Sequence, residues 1–111
     1  MKSESRIQQE IVMHYRNNYC LAHHSPRHII FSVPNERKDK KEQMKMIQTG
    51  LFAGVSDLII VRKNEVVFVE VKDDKGRQSE KQKKFQKMVE ELGHRYILVR
   101  SFEDFNKKLC K

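Results

Sequence analysis

The stretch VSDLIIVRKNEVVFVEVK, residues 55–72, constrains the fold more than any other part of the chain. Two runs rich in β-branched residues flank the charged tetrad Arg62-Lys63-Asn64-Glu65. That pattern predicts a β-hairpin with Lys63-Asn64 as a two-residue loop. The loop sets a register in which Asp57 lies opposite Glu70, Ile59 opposite Phe68 and Val61 opposite Val66. Side chains alternate along a strand, so these residues and Lys72 share one face. Leu58, Ile60, Val67, Val69 and Val71 share the other. Both faces are apolar and both need covering, which points to an α/β layer architecture.

The flanking sequence supplies the cover. Residues 4–18 place Ile7, Ile11, Met13, His14 and Tyr15 among polar neighbours, as an amphipathic helix does. HIIFSV, 28–33, reads as a strand ended by Pro34. The polar, basic stretch 35–49 is expected to hold a short helix. After the polar loop DDKGRQ, SEKQKKFQKMVEELG reads as a helix. Ser79 and Gln82 form its capping box, Phe85, Met88, Val89 and Leu92 its inward stripe, and Gly93 its stop. HRYILVRS is a strand, and strand-helix-strand implies a parallel crossover. Ser101 caps a last helix with Phe102, Phe105 and Leu109 on its apolar side. At 111 residues the chain reads as one domain, 1–111, large enough to fold around its own core.

Lys and Arg number 23 against 15 Asp and Glu, a formal charge of +8, which favours a polyanionic partner such as nucleic acid. No apolar run approaches the roughly 20 residues of a membrane span, and MKSESRIQQE lacks the apolar segment of a signal peptide. The expectation is a cytoplasmic protein with no membrane role, in which Cys20 and Cys110 stay reduced. Cys20, His23, His24 and His28 match no zinc-ligand spacing. His14 and His94 fit structural positions. Four glycines and no phosphate-cradling loop exclude P-loop chemistry.

The hairpin register brings two carboxylates side by side at one end of the sheet, where they repel. A divalent cation would relieve that repulsion, and Mg²⁺ prefers oxygen ligands from one or two carboxylates. Lys72, two residues beyond Glu70, places an ammonium beside the same spot. Metal and ammonium next to a phosphate suit phosphodiester hydrolysis. Polar strand ends meeting water explain the same charges. On the residue pattern alone both readings stay open.

Asp57 followed by Glu70-Val71-Lys72 resembles the PD-(D/E)xK nuclease superfamily. The segments GLFAGVSDLIIV, FVEVK, QSEKQKKF and GHRYILVR, with Pro34-Asn35 at a strand end, resemble the VRR-NUC family within it, and most of all its small standalone bacteriophage members. The resemblance spans the chain from the first helix to Arg100. It implies a restriction-endonuclease-like core, a mixed β-sheet flanked by α-helices. It also implies Mg²⁺- or Mn²⁺-dependent cleavage of DNA phosphodiesters. Carried over by position, Glu10, Asp57, Glu70 and the Val71 carbonyl are metal ligands. Asp57, Glu70, Lys72 and Gln82 form the catalytic set. Ser56 stands where the family usually has proline, a change expected to alter turn stiffness rather than chemistry. Standalone members imply a homodimer acting on branched DNA such as four-way junctions, in the cytoplasm of an infected bacterial host.

Other residues carry both a bland and a functional reading. Glu10 also reads as an exposed helix carboxylate, and the capping box by itself accounts for Gln82. Lys81, Lys83 and Lys84 oppose the dipole of the helix they begin, a cost that bound phosphate would offset. Lys75 and Arg77 flank Gly76 and suit backbone phosphates. Arg37, Lys38 and Lys41, with Lys40 and Lys45, form a second candidate DNA patch diluted by Glu36, Asp39 and Glu42. The expected function is a divalent-metal-dependent DNA endonuclease. The rival is a non-catalytic basic module that binds nucleic acid.

Overall fold

A computed structural model describes residues 2–34 and 40–110. The elements run α1 (Glu4–Tyr19), β1 (Ile29–Ser32), α2 (Lys40–Gln48), β2 (Leu58–Arg62), β3 (Glu65–Val71), α3 (Glu80–Glu91), β4 (Arg95–Val99) and α4 (Phe102–Leu109). The four strands form one sheet in the order β1-β2-β3-β4. β1 and β3 each pair antiparallel with β2, and β4 runs parallel to β3. This is the mixed α/β sheet expected from the patterning.

The hairpin turns at Lys63 and Asn64, with Asn64 at φ 63°. Asn is one of the few residues that tolerates that region. The register matches expectation along the pairing, with Leu58 opposite Val69, Ile59 opposite Phe68 and Val61 opposite Val66. One residue further along the same alternation stand Asp57 and Glu70.

The two sheet faces are covered unequally. On one, α1 and α4 bury Ile7, Ile11, Tyr15, Phe105 and Leu109 against Leu58, Ile60, Val67, Val69, Val71, Ile97 and Val99. On the other, α3 alone buries Phe85 and Val89 against Tyr96, with Val55, Phe68 and Leu98 partly covered. One helix cannot cover a whole sheet face, so Ile59, Val61 and Val66 stay half-buried. Glu70, Asp57 and Lys72 belong to this thinly covered face.

Helix ends follow their caps. Ser3 and Ser101 accept from the amides of Arg6 and Asp104. Ser79 and Gln82 form a reciprocal capping box. The expected inward stripe of α3 is narrower than its sequence suggests. Met88 is 47% exposed and Leu92 73%, because only Phe85 and Val89, one turn apart, meet the sheet. Met13 of α1 likewise faces outward. Among the described residues the backbone of α2 lies close to that of no other helix or strand, and its Met44 and Ile47 are exposed. Arg37 and Lys38 lie outside the described residues.

Arg100, just after β4, ties down the loop that follows β3. Its Nη1 donates to the carbonyls of Asp73 (2.6 Å) and Gly76 (2.7 Å). The Asp73 carboxylate accepts from the amides of Lys75 and Gly76 inside the same loop. Charge-assisted hydrogen bonds contribute about 1.5–3 kcal/mol each when buried, and less at an exposed residue such as this one. Arg100→Ala is therefore expected to cost about 1–2 kcal/mol and to speed amide exchange at Lys75 and Gly76. Unchanged exchange at these two amides would show that Arg100 does not hold the loop.

Candidate active site

Glu70 is the central group. The last three residues of β3, Val69, Glu70 and Val71, are all buried, so Glu70 is carried into the core with only 1% of its surface exposed. A lone buried carboxylate is costly, so its contacts matter. Gln82 Nε2 donates to Glu70 Oε2 at 3.0 Å, and the Tyr96 hydroxyl donates to Oε1 at 3.4 Å. Lys72 Nζ stands 3.7 Å from Oε2, itself only 13% exposed. The fourth neighbour is Asp57, close enough for its carboxylate to act on Glu70 electrostatically. Asp57 Oδ2 also accepts from the Val71 amide at 2.8 Å, which locks the end of β2 to the end of β3.

Burial, then the charge and hydrogen bond of Asp57, push the Glu70 carboxyl up to about 8, against a partial pull downward from Lys72. Glu70 therefore keeps its proton at neutral pH. Burial and the Glu70 charge raise Tyr96 as well, so it stays a neutral donor. The site is a buried carboxyl beside a second acidic side chain, ringed by an ammonium, an amide and a phenol.

That arrangement sets a pH dependence. Native Glu70 keeps a proton that the unfolded chain, with an ordinary value of 4.5, releases. Between about 4.5 and 8 the native state therefore binds more protons, and stability falls as pH rises. Glu70's contribution is complete below the lower value and gone above the upper one. Its size is a few kcal/mol at most. The difference in urea stability between wild type and Glu70→Gln, measured in EDTA from pH 5 to 9, isolates this contribution. A difference that stays flat across that range would mean Glu70 ionises like a free carboxylate.

Gln82 joins the helix cap to the acidic pair. Its Oε1 accepts from the Ser79 amide at 2.9 Å while its Nε2 holds Glu70. The cap therefore fixes the rotamer that reaches the acidic pair. Ser56, where proline was expected from the family pattern, is buried, and its Oγ donates to the Leu58 carbonyl at 3.1 Å. That bond stiffens the approach to Asp57 in proline's place.

Glu10 is not brought to the pair. Its carboxylate is held by Lys2 at 2.7 Å, which also lowers its pKa. Among the described residues, no three His, Cys, Asp or Glu side chains converge in a metal-ligating group. Lys75, Arg77, Lys81, Lys83 and Lys84 are all exposed around the loop and helix that follow β3, and Lys41 is exposed on α2. Lys83 pairs loosely with Glu80. The donor chemistry of the pair, hard carboxylate oxygens from two neighbouring side chains, fits a divalent cation.

Sequence reasoning missed Tyr96 and Gln78. Tyr96 reaches Glu70 from β4, and Gln78 Nε2 donates to Tyr96 Oη at 3.1 Å and to Gln86 Oε1 at 2.9 Å. The available signal was a tyrosine on an otherwise aliphatic strand. The parallel register that places it beside Phe68 cannot be read from local sequence.

The VRR-NUC domain profile matches residues 2–103. The chain belongs to the VRR-NUC family. This VRR-NUC chain is also similar in fold to a solved structure described as a VRR_NUC domain protein, with TM-score 0.75 and 18% identity over 99% of this chain and 87% of that one. A search of the curated proteins gave no match. Family membership makes this a nuclease domain, and DNA the partner it implies. No helix among the described residues is long and apolar enough to cross a membrane.

Proposed function

We propose that this VRR-NUC domain, residues 1–111 acting as one unit, is a divalent-metal-dependent DNA endonuclease. The carrying observation is the buried Glu70 carboxyl, near enough to Asp57 to feel its charge and beside the Lys72 ammonium. Asp57, Glu70 and the Val71 carbonyl are the proposed ligands of Mg²⁺ or Mn²⁺. Glu10 is a further candidate, for which it must exchange its Lys2 partner. When bound, such a cation supplies positive charge at the phosphate and makes water easier to deprotonate.

The chain's own residues account for the rest of the chemistry. In-line attack of water on phosphorus, with departure of the 3′ oxygen, builds negative charge on the phosphoryl oxygens. Lys72, fixed beside Glu70, offers an ammonium to that charge or orients the water. Gln82 holds the Glu70 rotamer and positions water or phosphate. Lys75, Arg77, Lys81, Lys83 and Lys84 are proposed to grip the DNA backbone beside the site, and Arg37, Lys38 and Lys41 a second stretch. Branched DNA such as a four-way junction, cut by a two-fold homodimer, is the proposed substrate and assembly. A symmetric pair would present one site to each of two strands. A cytoplasmic setting, in a bacterium infected by a virus, goes with this reading.

The test incubates the protein with duplex, flapped and four-way DNA in Mg²⁺ or EDTA, beside Asp57→Asn. Cleavage is expected only in Mg²⁺ and only with the wild type. Cutting that survives EDTA or the substitution would end the metal mechanism. Binding to all three DNAs with no cleavage by the wild type would instead favour the basic, non-catalytic module.

A further inference from the structure

An aromatic series runs outward from Glu70. Tyr96 touches Glu70 and packs on Phe85 with ring centres 6.2 Å apart. Phe85 packs on Phe68 at 5.5 Å and on Phe52 at 5.8 Å. Tyr96 and Phe85 are buried, but Phe52 is 50% exposed. Its ring is anchored on the core through Phe85, while half of the residue's surface meets solvent. The same ring walls a cavity of about 270 Å³ that also has Leu51, Val55, Asp57, Ser79 and Gln82 along it. Two of those residues, Asp57 and Gln82, belong to the acidic site.

The cavity lining mixes apolar Leu51, Phe52 and Val55 with the Asp57 carboxylate and the capped start of α3. That helix carries Lys81, Lys83 and Lys84, all exposed. At about 270 Å³ it lies just under the roughly 300–1,000 Å³ of sites for whole small molecules. A flat apolar ring tethered to an anion matches all of these features. The ring would lie on Phe52, and the attached phosphate would fall among the lysines and the proposed metal ligands. A base within a continuous duplex has no free face to offer, so the occupant must be unpaired. An apolar peptide side chain would gain nothing from Asp57 or the lysines.

We propose that Phe52 is a stacking platform for one unpaired DNA base next to the scissile phosphate. The proposal rests on the nuclease reading for the position of that phosphate. It deepens that reading by naming the substrate feature recognised: a nucleotide already unstacked, as at a branch point, gap or end.

The test titrates the full chain into a single-stranded oligonucleotide carrying 2-aminopurine, in EDTA, and reads base fluorescence and affinity. The wild type is expected to quench the probe on binding. Phe52→Leu keeps apolar packing on Phe85 but has no flat face. It is expected to lose the quench and to bind about 5- to 100-fold more weakly, while Phe52→Tyr retains both. In Mg²⁺ with a branched substrate, Phe52→Leu should raise KM by a similar factor with kcat nearly kept. If Phe52→Leu quenches and binds like the wild type, the stacking platform is overturned, whether or not DNA is cut. If the wild type quenches the probe and Phe52→Leu does not, yet no DNA is cut in Mg²⁺, the platform stands and the nuclease reading falls.

Discussion

Glu70→Gln is expected to cut DNA at least about a thousandfold more slowly than the wild type, and to be no less stable when metal is absent. The two expectations share one cause. Glu70 is almost fully buried and lies near a second carboxyl group, that of Asp57. Gln has the same shape and no charge, so it removes the conflict inside the folded, metal-free protein. It also keeps an oxygen for Gln82 Nε2, now 3.0 Å from Glu70 Oε2. The same change removes the anionic oxygen proposed to bind the cation. Several kcal/mol of transition-state stabilisation go with it, and each 1.36 kcal/mol is about tenfold in rate. Single-turnover cleavage in Mg²⁺ and urea unfolding in EDTA at pH 8 measure the two sides. Mg²⁺ should raise the unfolding midpoint of the wild type and leave that of the variant unmoved. A variant that cleaves at the wild-type rate would remove Glu70 from the chemistry.

Gly54→Ala is expected to lower stability by about 3 kcal/mol or more and the melting temperature by at least about 10 °C. Gly54 has φ +81°, and a Cβ there would stand 2.3 Å from the Lys81 carbonyl oxygen and 2.9 Å from the Gln82 amide nitrogen. Both atoms are backbone in the first turn of α3, so no side-chain rotation relieves the clash. The loop leading to Asp57 and the helix start carrying Gln82 touch through a missing side chain. Gly50 provides the control. It has φ +119° but nothing within 4 Å of an added Cβ. Gly50→Ala should show only the conformational cost, about 1–2 kcal/mol. Equal thermal shifts for the two substitutions would show that backbone angle, not contact with α3, is what Gly54 provides.

Local patterning carried far in this chain. The alternation along 55–72 and the Lys63-Asn64 turn were enough to set the hairpin register, because a slip of one residue would expose every core side chain. Ser79 with Gln82, and Ser101, announced helix starts through chemistry confined to four residues. The pairing of Asp57 with Glu70 followed from the same register, since cross-strand neighbours are a local consequence of a tight turn. What the chain did not disclose locally depends on packing between distant segments. The exposure of Met88 and Leu92 follows from α3 covering its sheet face alone. Tyr96 meets Glu70 only because β4 lies parallel to β3 at one particular register. Glu10 was placed with the pair by family position, but a lysine eight residues away in the same segment holds it.

The sequence by itself determined the strands, the helix ends and the neighbourhood of two carboxylates, because hydrogen-bonding geometry and side-chain alternation act over a few residues. Only the tertiary structure decided how deeply Glu70 is buried, which side chains donate to it, and that Phe52 stands at the rim of the same site. Those depend on the shape of the space between α3 and the sheet, which no short segment specifies.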